Sequence, residues 1–114
     1  MGLSSKTCIP CKGGIPPLTR KETEKFLAET PGWVLREEPV RIERAFQLKD
    51  FASALRFINQ VGELAESEGH HPDITFGWGY CTVAFYTHKI NGLHENDFIM
   101  AAKVDQLFNL IFKG

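Results

Sequence analysis

Three of the chain's four histidines, His70, His71 and His88, fall within nineteen positions of one another. Imidazole changes charge near neutral pH, so a cluster of this kind can deliver one proton and accept another at working pH. Two carboxylates could join it. Glu66 lies one helical turn before His70, and Asp97 follows His88 by nine positions; either could orient a ring or hold an imidazolium charge. Structural roles fit the same residues. A His pair at a helix end commonly serves as a solvated cap. Asp97 stands three residues after His94, where it can cap a helix, and Glu66 can be an ordinary exposed helix residue.

Three histidines and a carboxylate are also zinc-like ligands. Adjacent side chains of an extended segment point opposite ways, which makes His70 and His71 a poor chelating pair. The H-E-x-x-H spacing of helical zinc sites is absent. Cys8-x-x-Cys11 is a single pair with no second pair and no βαβ context. The expectation is no metal, with Cys8 and Cys11 structural or incidental and Cys81 in the core of a strand. Trp78, Tyr80 and Tyr86 add aromatic surface that is expected near the histidines. Each singly suits packing, and a flat heteroaromatic ligand would use the same surfaces.

The elements that must position these residues can be read in order. Residues 1–17, rich in Gly, Pro, Ser and Cys, read as an irregular arm, mobile at its start. Residues 18–114 read as a single domain. Thr19-Arg20-Lys21-Glu22 is a capping box that opens a first helix, ending near Pro31-Gly32. Trp33 to Arg36 and the alternating Arg41 to Leu48 read as two strands, joined by a turn through Glu37, Glu38 and Pro39. A longer helix runs from Asp50 to Ser67, with Phe51, Ala54, Leu55, Ile58, Gly62 and Ala65 as one apolar stripe, widened by Phe57, Val61 and Leu64. Gly69 stands where a left-handed C-cap is wanted, and Pro72 extends His71. Ile74 to Gly77 and Tyr80 to His88 read as a tight hairpin turning at Gly77-Trp78-Gly79, with His88 closing the last strand. A final helix spans Glu95 to Phe112, with Phe98, Ala101, Ala102, Phe108 and Ile111 facing inward. The order α-β-β-α-β-β-α predicts an α+β fold: a four-stranded antiparallel sheet with helices on one face. In such a hairpin the start of one strand lies beside the end of the other, so His70, His71 and His88 would meet at one end of the sheet.

Composition sets the outer bounds. A chain of 114 residues, 43% hydrophobic and 24% charged, is long enough to bury a core unaided. A formal net charge of −1 argues against direct nucleic-acid binding. No apolar run approaches the ~20 residues that span a bilayer. MGLSSKTCIPCKGG has no apolar h-region, and Lys6 breaks the myristoylation pattern. Three cysteines, an odd count, suit a reducing compartment, so the cytoplasm is expected.

The combination Glu66-x-x-x-His70-His71-Pro72-Asp73, Thr87-His88, Gly92-Leu93 and Asp97 resembles the signature of the pterin-4a-carbinolamine dehydratases. The stretch from Phe46 to Ala65 and Cys8-Ile9-Pro10-Cys11-Lys12-Gly13-Gly14 are similar to microbial members. The resemblance implies a four-stranded antiparallel sheet and assembly as a homodimer or homotetramer. It implies dehydration of 4a-hydroxytetrahydrobiopterin to quinonoid dihydropterin, in the recycling of the pterin used by aromatic amino-acid hydroxylases, with a hydroxylase as possible partner and without metal or organic cofactor. It assigns His70 and His88 to proton transfer and His71 mainly to substrate orientation. Glu66, Gly69, Tyr86, Thr87, Lys89 and Asp97 join these histidines in binding substrate. Animal members also bind a homeodomain transcription factor, so a protein-binding or coactivator-like module is the alternative, and another pterin pathway such as molybdopterin metabolism a third. Two positions depart from the pattern. His94 stands where many relatives have Ser or Thr, which would weaken a helix cap, and Gly69 is often polar in animal relatives, which would remove one substrate contact.

Overall fold

The structure is a computed structural model that describes residues 2–9 and 15–112. Its elements are α1 (Arg20–Glu29), β1 (Val34–Arg36), β2 (Arg41–Gln47), α2 (Phe51–Glu68), β3 (Asp73–Gly77), β4 (Tyr80–Phe85) and α3 (Glu95–Ile111), with short 3-10 turns at Gly2–Ser5 and His88–Ile90. The sheet order is β1-β2-β4-β3, antiparallel throughout, which is the expected α+β arrangement.

Local signals explain where the elements begin and end. Thr19 Oγ1 accepts from the Glu22 N–H at 3.2 Å, and Glu22 Oε1 accepts from the Thr19 N–H at 2.8 Å. The capping box therefore forms in full. Asp50 caps α2 by accepting from the Ser53 N–H at 2.8 Å, as an N-cap carboxylate should. Gly69 ends the helix in the left-handed conformation at φ 69, the usual glycine C-cap. The β3–β4 hairpin turns on Trp78 and Gly79, with Gly79 at φ 83, a sign of φ that tight hairpin turns require. A Cβ at Gly77 would lie 2.6 Å from the Tyr80 ring.

The core lies between one face of the sheet and the helices. Ile42, Phe46, Cys81, Val83 and Phe85 face inward and are buried. Phe46 sits at the centre, its ring 4.9 Å from those of Phe57 on α2 and Phe108 on α3, with the Arg44 guanidinium 4.3 Å over it. Burying one such phenylalanine is worth roughly 1.5–3 kcal/mol. Phe26 of α1 stacks on Phe98 of α3 at 5.2 Å, which seats the first helix. Trp33 crosses the core edge and donates from Nε1 to Asp105 at 2.9 Å, while Arg44 pairs with the same carboxylate at 2.6 Å.

Several features depart from the sequence expectation. β4 stops at Phe85 rather than running to His88. The Thr87 N–H donates to Gly92 O at 3.0 Å, closing a loop around the His88–Ile90 turn, so the chain leaves the sheet before His88. The stripe of α2 that meets the core is Ala54, Phe57, Val61 and Ala65; Phe51 and Leu55 are exposed, and Phe51 packs at the rim against Phe76 at 5.5 Å. On α3 the buried side is Phe98, Ile99, Met100, Ala101 and Val104, while Ala102, Phe108 and Ile111 are only partly buried. The arm is anchored early, because Leu3 is buried in the core. Residues 10–14, including Cys11, lie outside the described residues. Among those described, no helix is long and apolar enough to cross a membrane.

Candidate active site

The start of β3 lies beside the end of β4, with Asp73 opposite Ala84. The segment following α2 and the loop following β4 therefore meet at one sheet end, above the N-terminus of α3. Gly69, His70, His71, Tyr86, Thr87, His88 and Lys89 line one cavity there, of about 490 Å³. That volume suits a small heterocyclic ligand. All seven are residues expected from the sequence or from its family resemblance. Pro72, Asp73, Ile9 and Asn96 complete its walls.

His70 is the most firmly held of the three rings. Its Nε2 lies 2.6 Å from Asp97 Oδ1, and the ring stacks nearly parallel to Phe85 at 6.1 Å. Asp97 is completely buried. Its Oδ2 accepts from Thr87 Oγ1 at 2.8 Å and from the His94 N–H at 2.9 Å. A carboxylate can only accept, so His70 donates from Nε2, and Nδ1 is the nitrogen left for a ligand. Asp97 thus acts both as a helix cap and as the support of His70. The cap itself is sound, since His94 Nδ1 accepts from the Asn96 N–H at 2.9 Å in place of the Ser or Thr hydroxyl.

His71 turns the other way, as extended geometry requires. Its Nε2 lies 2.5 Å from Glu66 Oε2, and both side chains are exposed. Glu66 does not line the histidine cavity. It borders a larger, shallower hollow of about 770 Å³ along α2 and β3, which shares His71 and Pro72 but neither His70 nor His88. The smaller cavity is the one that brings all three imidazoles together. His88 is exposed, with its ring 4.2 Å from that of Tyr86. Gly69 supplies a backbone conformation rather than a side chain. A Cβ there would meet open space, but the positive φ disfavours one.

Trp78 and Tyr80 do not belong to the site. They lie at the β3–β4 turn, the opposite end of the hairpin from Asp73 and Phe85, and are largely exposed. Cys8 lies near the site, where burial, and then the charge of Glu68, push its thiol up to about 12 and so disfavour the thiolate. Burial alone pushes Cys81 up to about 11.

The family model of the pterin 4 alpha carbinolamine dehydratases matches residues 16–107. The chain belongs to this family. A relative from Methylococcus capsulatus, provisionally named a pterin-4-alpha-carbinolamine dehydratase, is 61% identical over 105 residues, covering 92% of each chain. One from Cupriavidus pinatubonensis with a like name is 58% identical, covering 92% of this chain and 90% of its own. Among solved structures, a transcriptional coactivator/pterin dehydratase from Brucella melitensis superposes with a TM-score of 0.75 at 33% identity, covering 80% of this chain and 97% of its own. A pterin dehydratase-like protein described as a RuBisCO assembly factor in the alpha-carboxysome gives 0.58 at 26% identity, over 68% of this chain and 89% of its own. The family's name is that of a dehydratase, a hydro-lyase acting on a pterin.

Proposed function

We propose that the protein dehydrates 4a-hydroxytetrahydrobiopterin to quinonoid dihydropterin by histidine acid–base catalysis, in the recycling of tetrahydrobiopterin in the cytoplasm. The observation that carries this reading is His70, fixed by the buried Asp97, opening with His88 into one cavity of ligand size. In the reaction the C4a–O bond breaks and its electron pair leaves with the oxygen. One imidazolium protonates that oxygen to give water. The lone pair of a ring nitrogen forms the new double bond, and its proton passes to a neutral imidazole. One acid loses a proton and one base gains one, so the pair is restored by a single exchange with solvent. His70 and His88 perform these transfers, while His71, steadied by Glu66, orients the substrate. Thr87 supports Asp97; Tyr86, Lys89 and the Gly69 backbone form the remaining contacts. Purified protein should speed loss of 4a-hydroxytetrahydropterin above the spontaneous rate, and a protein that gives no acceleration would refute the reading.

A second reading is a protein-binding module. The solved relative described as a RuBisCO assembly factor favours it, since a pterin dehydratase-like fold there carries an assembly role. A binding module would keep its partner in pull-down after loss of His70 and His88; an enzyme would lose its function.

A further inference from the structure

Bonds to α2 and α3 hold residues 4–9 of the N-terminal arm and bring Ile9 to the wall of the histidine cavity. Asn96, only 1% exposed, grips the backbone of residue 9 from both sides: its Oδ1 accepts from the Ile9 N–H at 3.1 Å and its Nδ2 donates to Ile9 O at 2.6 Å. One residue earlier, the Cys8 N–H donates to Glu68 Oε1 at 2.9 Å. Lys103 lies 3.5 Å from Glu68 and donates to Ser4 O at 3.2 Å, so α2, α3 and the arm are tied at one point. Lys6 pairs with Glu95 at 2.6 Å, and Leu3 is buried in the core.

These bonds fix the Ile9 backbone, yet the residue is 60% exposed. An apolar side chain set this firmly and left in water is not there to fill the core. It lines the histidine cavity, whose other walls include five charged or titratable side chains, His70, His71, His88, Lys89 and Asp73. Flat heterocycles need apolar contact as well as polar partners, and Ile9, with Pro72 and Tyr86, supplies it. Residue 9 lies outside the stretch that the family model matches, which begins at residue 16.

We propose that Ile9 is part of the substrate site, an apolar wall against the pterin, with Asn96 the positioning residue that holds it there. This rests on the dehydratase reading and deepens it. The arm adds binding contact without entering the proton transfers, so its loss should act on KM and leave kcat.

The test uses the full chain with Ile9→Ala, Ile9→Asp, Ile9→Leu and Asn96→Ala, read by steady-state kinetics and by carbethoxylation of each histidine mapped by peptide mass. Ile9→Ala should raise KM for 4a-hydroxytetrahydropterin about three- to tenfold, the worth of partial burial of a few methylenes, with kcat within about twofold. Ile9→Asp should raise it further and Ile9→Leu should restore it, a pattern that a merely structural arm would not give. Asn96→Ala should raise KM likewise, and both it and Ile9→Ala should speed modification of His70 and His88. Unchanged KM and unchanged modification rates in Ile9→Ala and Ile9→Asp would overturn the proposal. Should the unsubstituted protein show no dehydratase activity, the functional reading falls, and the modification rates alone still decide whether the arm walls the cavity.

Discussion

The Nε2 of His70 lies 2.6 Å from Oδ1 of Asp97, and the other oxygen of that carboxylate is fully engaged by Thr87 and the His94 backbone. The imidazole is therefore held by a group that is itself immobilised. Asp97→Asn keeps the shape but turns one of the two accepting oxygens into a donor, set either against the Thr87 and His94 donors or against His70, whose ring must then switch tautomer to accept. It should lower kcat by about 10²-fold, within the range of acid–base contributions, and cost about 1–3 kcal/mol of stability for the mismatched buried bonds. Kinetics and thermal melts of the variant check both. Full kcat in a folded Asp97→Asn protein would remove His70's support from the mechanism.

Much of this arrangement is legible in the sequence. Thr19 and Glu22 announce a capping box that forms, Gly69 announces a left-handed cap, and the alternation of β2 places Ile42 and Phe46 inward, because each of these signals is local. The mismatches share a cause too. On α2, both Phe51-Ala54-Leu55-Ile58 and Ala54-Phe57-Val61-Ala65 obey helical spacing, so the chain alone does not say which side the sheet will cover. The end of β4 depends on a bridge between Thr87 and Gly92, and Trp78 falls away from the site because a hairpin has two ends. The grip of Asn96 on Ile9 joins residues 87 apart and has no sequence signal.

A pH-dependent effect on stability is expected away from the active site. Asp105 accepts from Trp33 and pairs with Arg44, yet burial outweighs both and raises its pKa above the usual 3.8. A carboxyl raised in the folded state stabilises below its unfolded pKa, and that contribution is lost as pH climbs through the raised value. The melting temperature of Asp105→Asn relative to the unsubstituted protein should therefore improve between about pH 4 and about pH 7. A difference that stays flat or moves the other way would show that the Arg44 and Trp33 partners dominate.

Chelation should leave activity intact. In the proposed reaction the departing hydroxyl needs only a proton, and His70 and His88, to which the proposal assigns the transfers, could not serve as zinc ligands at the same time. Protein dialysed against a chelator should retain its full rate by stopped flow. Stoichiometric zinc on elemental analysis, with activity lost on chelation and restored by zinc, would replace the acid–base account with a metal-assisted one.

Assembly is expected to be a two-fold dimer or a tetramer. β3 is an edge strand of the sheet, and Trp78 at its turn and Leu110 on α3 are 71% and 75% exposed. Unpaired strand edges and exposed large apolar side chains are typical of surfaces that a second copy covers. Light scattering at micromolar concentration should report more than one chain; a pure monomer would contradict this.

The whole mechanism depends on His70 and His88 together carrying the proton transfers. The most direct measurement is the single-turnover rate of loss of 4a-hydroxytetrahydropterin, with the intact protein and with the double substitution His70→Ala, His88→Ala, folding checked by circular dichroism. The intact protein should exceed the spontaneous rate, and the double variant, still folded, should lose at least about 10²-fold of that acceleration. A folded double variant that dehydrates the substrate as fast as the intact protein would contradict the account.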